Sequence, residues 1–213
     1  MKIEKLAPSA RVEGRWLCHL EDGSILRVGE SEVVSFALYT GKELTDEELT
    51  ALEGAVEARS VREKALTLVT GRSMSRKELV DKLTARPRDE KKKPVNAEQA
   101  EAAADWLTEL GYLNDAEYAR AVARHYAAKG YGERRVRDEL WKRGVPRELW
   151  DEALEETGDA EEPIDAFVRR RLRGTRPDPR ELKRLSDALL RRGFDWEDIR
   201  AALGRYADGM EEE

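Results

Sequence analysis

Few side chains in this sequence have the types and spacing of a reaction centre. It holds two histidines, His19 and His125, and one cysteine, Cys18. A thiolate nucleophile needs a base within hydrogen-bond reach. Cys18 and His19 are adjacent in a stretch of strand character, so they point to opposite faces and form no such pair. His125, between Arg124 and Tyr126 on a helical stretch, reads as a surface or boundary residue. C-x-x-C, H-E-x-x-H, G-x-x-x-x-G-K-S/T and G-x-S-x-G do not occur. Carboxylates are abundant, but helix caps and solvated faces account for most of them. The chain reads as a non-enzyme with no cofactor and no metal. Metal-dependent phosphodiester chemistry by scattered carboxylates is a distant third reading, which metal-dependent loss of intact DNA would reveal.

Binding chemistry is better represented. The net charge is −6, which argues against a general nucleic-acid binder, yet the charge is unevenly spread. Residues 120–147 carry nine Lys/Arg against three Asp/Glu, and residues 163–194 carry ten against four. Such islands attract phosphate or an acidic protein surface. The cations that could align are Lys129, Arg134, Arg135, Arg137, Lys142 and Arg143 in the first island. Their counterparts in the second are Arg171, Arg173, Arg180, Lys183, Arg184, Arg191 and Arg192. Local pairing with Glu133, Asp138 and Glu139 is the competing account. Tyr131 and Trp141 interleave with the cations. Trp141 is expected to be packed, so the stacking platform of a single-strand binder is not evident.

The islands lie on elements that repeat. Residues 136–145 read VRDELWKRGV and residues 185–194 read LSDALLRRGF, with a worn copy, LVDKLTARP, at 79–87. The apolar pairs Leu79/Leu83, Val136/Leu140 and Leu185/Leu189 are four apart, on one helix face. Arg86, Arg143 and Arg192 sit in the last turn, where a cation suits the negative helix end. Glycine ends the helix, and Val145 or Phe194 turns back into the core. The doubled cations Lys142-Arg143 and Arg191-Arg192 exceed what a helix end needs.

Capping signals place the helices. Thr45 with Glu48, Ser75 with Glu78, and Asn96 with Gln99 read as capping boxes or their relatives. Asn114, Asp159, Asp178 and Asp195 are further N-caps, and Pro146 and Pro179 suit a first turn. Gly111, Gly130, Gly144, Gly158, Gly174 and Gly193 suit the left-handed position past a helix end. Helices are expected near 46–70, 76–86, 97–110, 115–129, 133–143, 146–157, 160–173, 179–192 and 195–207. Before them, Asp22-Gly23 predicts a β-hairpin over about 10–20 and 24–29, with Trp16, Cys18 and Leu20 on one face. A short helix is expected over 31–39.

The fold class is thus mainly α. Three tandem three-helix repeats form an extended, curved array, preceded by a small β-hairpin and helix. The divisions are 1–58 for the extension, 59–110, 111–158 and 159–207 for the repeats, and 208–213 for an acidic tail. Charged residues make up 39% of the chain, against roughly 25% in typical domains, which fits thin helical layers. The third helices, PRELWDEAL and DWEDIRAAL, are acidic and would repel phosphate, so sequence-specific DNA reading is not expected. One cysteine permits no internal disulfide and suits a cytoplasmic protein. No apolar run approaches the length of a membrane span, and the N-terminus lacks the apolar run of a signal peptide.

Residues 111–145, GYLNDAEYARAVARHYAAKGYGERRVRDELWKRGV, closely resemble the central unit of the RecX family, regulators of the RecA recombinase. The resemblance rests on Gly111–Asp115, Tyr118-Ala119, Lys129-Gly130-Tyr131-Gly132 and the run from Glu139 to Gly144. LTLVTGRSMSRKELVDKL (66–83) looks like the first unit, and LLRRGFDWEDIRAAL (189–203) like the third, so about 59–207 is covered. Where the family pattern has a lysine before the glycine, this chain has Arg143 preceded by Lys142. The resemblance implies a non-enzymatic regulator in recombination and DNA repair, and a monomer is the default expectation. It would lodge in the groove of the RecA–single-stranded DNA filament and block its ATPase and strand exchange, or promote disassembly. A stand-alone nucleic-acid-binding protein acting through a basic helical face is the alternative. Its affinity would fall steeply with salt.

Overall fold

The computed structural model describes residues 1–87, 94–172 and 177–208. Part of the charged loop at 84–96, the Gly174 turn and the acidic tail beyond Asp208 lie outside the described residues. The chain forms two compact units. One joins Met1–Thr70 to Leu83–Leu107; the other joins Gly71–Lys82 to the chain from Thr108 onward.

The first unit opens with a three-stranded antiparallel sheet of order β1-β2-β3, from Ile3–Pro8, Arg15–Leu20 and Ile25–Gly29. The β2–β3 hairpin turns at Asp22-Gly23 as expected: Ser24 N donates to Asp22 Oδ1 at 2.9 Å, and Gly23 has φ 81°. Trp16 pairs with Val28 and Cys18 with Leu26. Cys18, Leu20 and Val28 are buried with Ile3, Leu38, Leu44 and Leu52. Strand β1 was not expected, and β2 starts only at Arg15. Within β1 only Ile3 is fully buried, a register shift falls between Ile3 and Lys5, and Pro8 ends it. Such an edge strand leaves no alternating pattern to read.

The next helix, α1 (Glu30–Ser35), is shorter than the 31–39 expected, because Ala37 takes a left-handed φ of 44°. Helix α2 spans Asp46–Gly71. Its capping box is reciprocal: Thr45 N donates to Glu48 Oε2 at 2.9 Å, and Glu48 N to Thr45 Oγ1 at 3.1 Å. Helix α3 (Arg76–Thr84) carries the chain across the division between the units. Helix α4 (Ala97–Glu109) is capped by Asn96, whose Oδ1 accepts from Gln99 N at 2.7 Å. Alanine lets helices approach closely, and α4 buries Ala100, Ala103, Ala104 and Leu107.

The second unit contains two helix triplets with separate cores. Helices α5 (Asp115–Ala128), α6 (Glu133–Lys142) and α7 (Trp150–Leu154) enclose Ala119, Val122, Val136, Leu140, Val145 and Leu154. Helices α8 (Glu161–Leu172), α9 (Pro179–Arg192) and α10 (Trp196–Asp208) enclose Ile164, Phe167, Val168, Leu185, Leu189, Phe194 and Ile199. After α1, expected and observed helix ends agree within one or two residues among the described residues, the usual scatter of such boundaries, with one exception. The helix expected over 146–157 is broken into α7 between two 3-10 turns, 147–149 and 155–157. Among the described residues no helix is long and apolar enough to cross a membrane.

Candidate interaction surface on the helical triplets

All three apolar pairs of the repeated phrase are buried: Leu79/Leu83, Val136/Leu140 and Leu185/Leu189. The glycines that follow do more than end helices. Gly144 and Gly193 take left-handed φ values of 63° and 89°, which only glycine adopts without strain. Each also receives the start of a preceding helix. Gly132 N donates to Arg192 O at 3.0 Å and Arg134 N to Gly193 O at 3.1 Å. A Cβ on Gly132 would overlap the Gly193 carbonyl, and one on Gly193 would overlap the Arg135 backbone. At the other joint Ser75 Oγ donates to Arg143 O, and a Cβ on Gly144 would overlap the Lys77 side chain. The start of α3 therefore docks on the turn after α6, and the start of α6 docks on the turn after α9. The arginine-glycine phrase is a joint used twice, a role its spacing alone does not announce.

Around the first joint, Tyr118 Oη donates to Glu78 Oε2 at 2.9 Å, and Arg76 N donates to Asp115 Oδ1 at 2.7 Å. Burial, aided by the Glu78 bond, pushes the Tyr118 phenol up to about 12. Burial likewise raises Asp115, against the lowering effect of the Arg76 amide.

Several predicted strip residues serve this framework. Glu139 is buried on α6 and gathers Arg143, Arg135 at 3.0 Å and Lys142 at 3.2 Å. Burial alone would raise its pKa, but bonds from Arg143, Tyr126 and Lys142 prevail and hold it at about 2. Arg143 also lies over the Tyr126 ring at 5.7 Å. Burial lowers its pKa, and the bonds to Glu139 and Tyr126 outweigh this and raise it. Arg192 lies over Phe167 at 4.8 Å and Tyr131 at 5.3 Å, and donates to Gly130 O at 2.9 Å. Arg137 pairs with Glu133 at 3.4 Å and Asp151 at 3.5 Å.

The remaining cations face solvent. Lys129, Arg134, Arg180, Lys183, Arg184 and Arg191 are exposed, and no ion pair holds any of them among the described residues. Arg171 lies over Phe167 at 5.5 Å, and Arg173 lies outside the described residues. Along α9, Arg180, Arg184 and Arg191 fall on one stripe by helical spacing. Sequence reasoning missed Trp141, expected to be packed but 66% exposed. It shares the outward stripe of Arg134 and Asp138, seven and three residues earlier, and that spacing could have placed it. Exposed Arg200 and Trp196 were also passed over. His125 is exposed as expected; Cys18 is free and buried, and its burial raises the thiol pKa. Among the described residues no three His, Cys, Asp or Glu side chains gather as a metal site.

With that geometry in place, comparisons with known proteins are informative. Residues 114–154 match the second three-helix domain of RecX, and residues 161–203 match the third. The chain is 40% identical over 146 residues to the regulatory protein RecX of Stenotrophomonas maltophilia strain R551-3, covering 68% of this chain and 85% of that one. The chain belongs to the RecX family. A RecX protein of Xanthomonas axonopodis pv. citri is 38% identical over 142 residues, covering 66% of this chain and 83% of its own. A crystal structure of regulatory protein RecX superposes with a TM-score of 0.71 at 22% identity, over 95% of this chain and 98% of that one. RecX from Lactobacillus salivarius gives 0.61 at 20% identity, over 71% and 97%. The two matched RecX domains coincide with the two triplets, so the joint between α6 and α9 connects successive RecX domains.

Proposed function

We propose that this chain regulates the RecA recombinase, mainly as an inhibitor, acting in the cytoplasm without turnover. It seats in the groove of the RecA–single-stranded DNA filament and blocks ATP hydrolysis and strand exchange, or promotes disassembly. Membership of a family whose relatives are named regulatory proteins supports the reading. One observation carries it: Lys129, Arg134, Arg180, Lys183, Arg184 and Arg191 are exposed on successive triplets, with no ion pair among the described residues. The helices bearing them are fixed by main-chain bonds at a joint. A backbone fixed in advance spares its share of the ordering cost when these cations meet an acidic surface or a DNA backbone. The net charge of −6 disfavours a stand-alone DNA binder. The repeats are taken as 59–110, 111–158 and 159–207, after an extension at 1–58 and before an acidic tail at 208–213.

The test is RecA's DNA-dependent ATP hydrolysis with this protein titrated in at fixed, near-physiological salt. Inhibition well below one copy per RecA monomer is expected. No effect on active RecA would end the proposal. Strong binding to bare DNA that collapses with salt would favour the stand-alone alternative.

A further inference from the structure

The outer faces of the two triplets differ. In α5–α7, Arg120 pairs with Glu117 and Glu152, Arg124 with Glu156, and Arg137 with Glu133 and Asp151. These three arginines are met by carboxylates of the same triplet. Aligning the repeated phrase sets Arg137 against Ser186, Asp151 against Arg200, and Glu155 against Gly204. No bridging pair is left at those positions. A groove of about 520 Å³ opens between α9 and α10 instead.

The groove has a built character. Ile199 and Leu203 are buried in its floor, Leu182 and Leu190 form one wall, and Trp196 stands at the mouth, 57% exposed. A Cβ on Gly204 would meet nothing within 4 Å, so the opposite wall carries a notch. Lys183 and Arg200 line the groove. Arg180, Arg184 and Arg191 follow on the adjacent stripe of α9. None of the five is held in an ion pair among the described residues. Asp187 lines the same groove, and Glu197 is the next carboxylate along α10. The surroundings are therefore an apolar floor within a net positive rim.

We propose that this groove docks an acidic amphipathic segment of the protein that the chain regulates. Apolar anchors of that segment cover Ile199, Leu203 and Gly204, and its carboxylates face Lys183, Arg184 and Arg200. An extended nucleic-acid strand would use the cations but leave the aliphatic floor in water, which favours a protein occupant. The identity of the partner rests on the RecA reading above.

Two variants of the full chain test this. Gly204→Met sets its Cβ in open space, carries a flexible side chain into the notch and improves helix propensity. Lys183→Glu with Arg200→Glu reverses the rim at exposed positions. Binding to RecA filaments assembled on oligo-dT is measured by co-sedimentation, beside melting temperature and far-ultraviolet circular dichroism. Each variant is expected to weaken filament binding by about tenfold or more, with unchanged melting and helicity. Filament binding equal to wild type in both variants overturns the groove proposal alone. Failure of the wild-type chain to bind RecA overturns the RecA reading and this proposal together. Loss confined to bare oligo-dT binding, or to self-association in sedimentation equilibrium, assigns the groove to another occupant and overturns it as well.

Discussion

Gly132 and Gly193 meet backbone to backbone, so closely that a Cβ on Gly132 would overlap the Gly193 carbonyl. The contact brings the first turn of α6 onto the turn that closes α9, and two main-chain hydrogen bonds complete it. At this point of the joint the requirement is the absence of side chains. Gly193→Ala is expected to lose about 2–4 kcal/mol, from the left-handed φ together with overpacking. Gly111→Ala shares the positive φ but meets nothing within 4 Å, so it should lose only about 1–2 kcal/mol. Urea unfolding of the two variants checks the difference. Equal losses would leave the joint no energetic role.

Glu139 gives the joint region a defined acid sensitivity. Its folded pKa is about 2, below the ordinary 4.5. A depressed carboxylate contributes stability that is fully present above the unfolded pKa and is lost as pH falls through the folded one. The window is therefore pH 4.5 down to about 2. Glu139→Gln should lose on the order of 1–3 kcal/mol at neutral pH. The deficit should shrink across that window and vanish below it. Parallel denaturant curves for wild type and variant between pH 2 and 7 would show it, and a pH-independent gap would contradict it.

The thirteen cations chosen from sequence divide by task. Reversing Arg135 and Arg143 would place carboxylates beside Glu139, so their loss would confound binding with stability. Arg134, Arg184 and Arg191 are exposed and form no ion pair among the described residues. Arg134→Glu, Arg184→Glu and Arg191→Glu combined should leave the urea midpoint within the roughly 0.5 kcal/mol typical of surface changes. The same variant should raise the concentration needed to inhibit RecA ATPase. Unchanged inhibition in the folded triple variant would remove the cations from the interaction surface.

Helices announce themselves through local chemistry, which is why the sequence located them well. The Asn114 and Asp178 caps accept from Glu117 N at 3.0 Å and Glu181 N at 2.6 Å. Both signals lie within three residues of the group they serve. Strand β1 depended on partners eight or more residues away, and its one buried side chain, Ile3, could not declare it. The groove beside Trp196 escaped notice for a related reason. It arises from what Ser186 and Gly204 fail to fill, and an empty space has no sequence pattern of its own. The basic islands were legible as composition. Which cations are tied down depended on distant neighbours such as Tyr131 and Phe167 around Arg192.

Arg192 tests that last distinction directly. A single charge near the end of α9 would favour the negative helix terminus by about 0.3–1 kcal/mol. The observed side chain does more: it stacks on Phe167 of its own triplet and Tyr131 of the preceding one, and donates to two carbonyls, of Lys129 and Gly130. A planar guanidinium can stack while its edge donates hydrogen bonds; an ammonium cannot reproduce both. Arg192→Lys should therefore restore the helix-end charge without the staple. We expect Arg192→Ala to lose about 1–3 kcal/mol, and Arg192→Lys to recover less than half of it in urea unfolding. Full recovery by lysine would mean that charge alone is what the end of α9 needs, and that the stack across the joint is incidental.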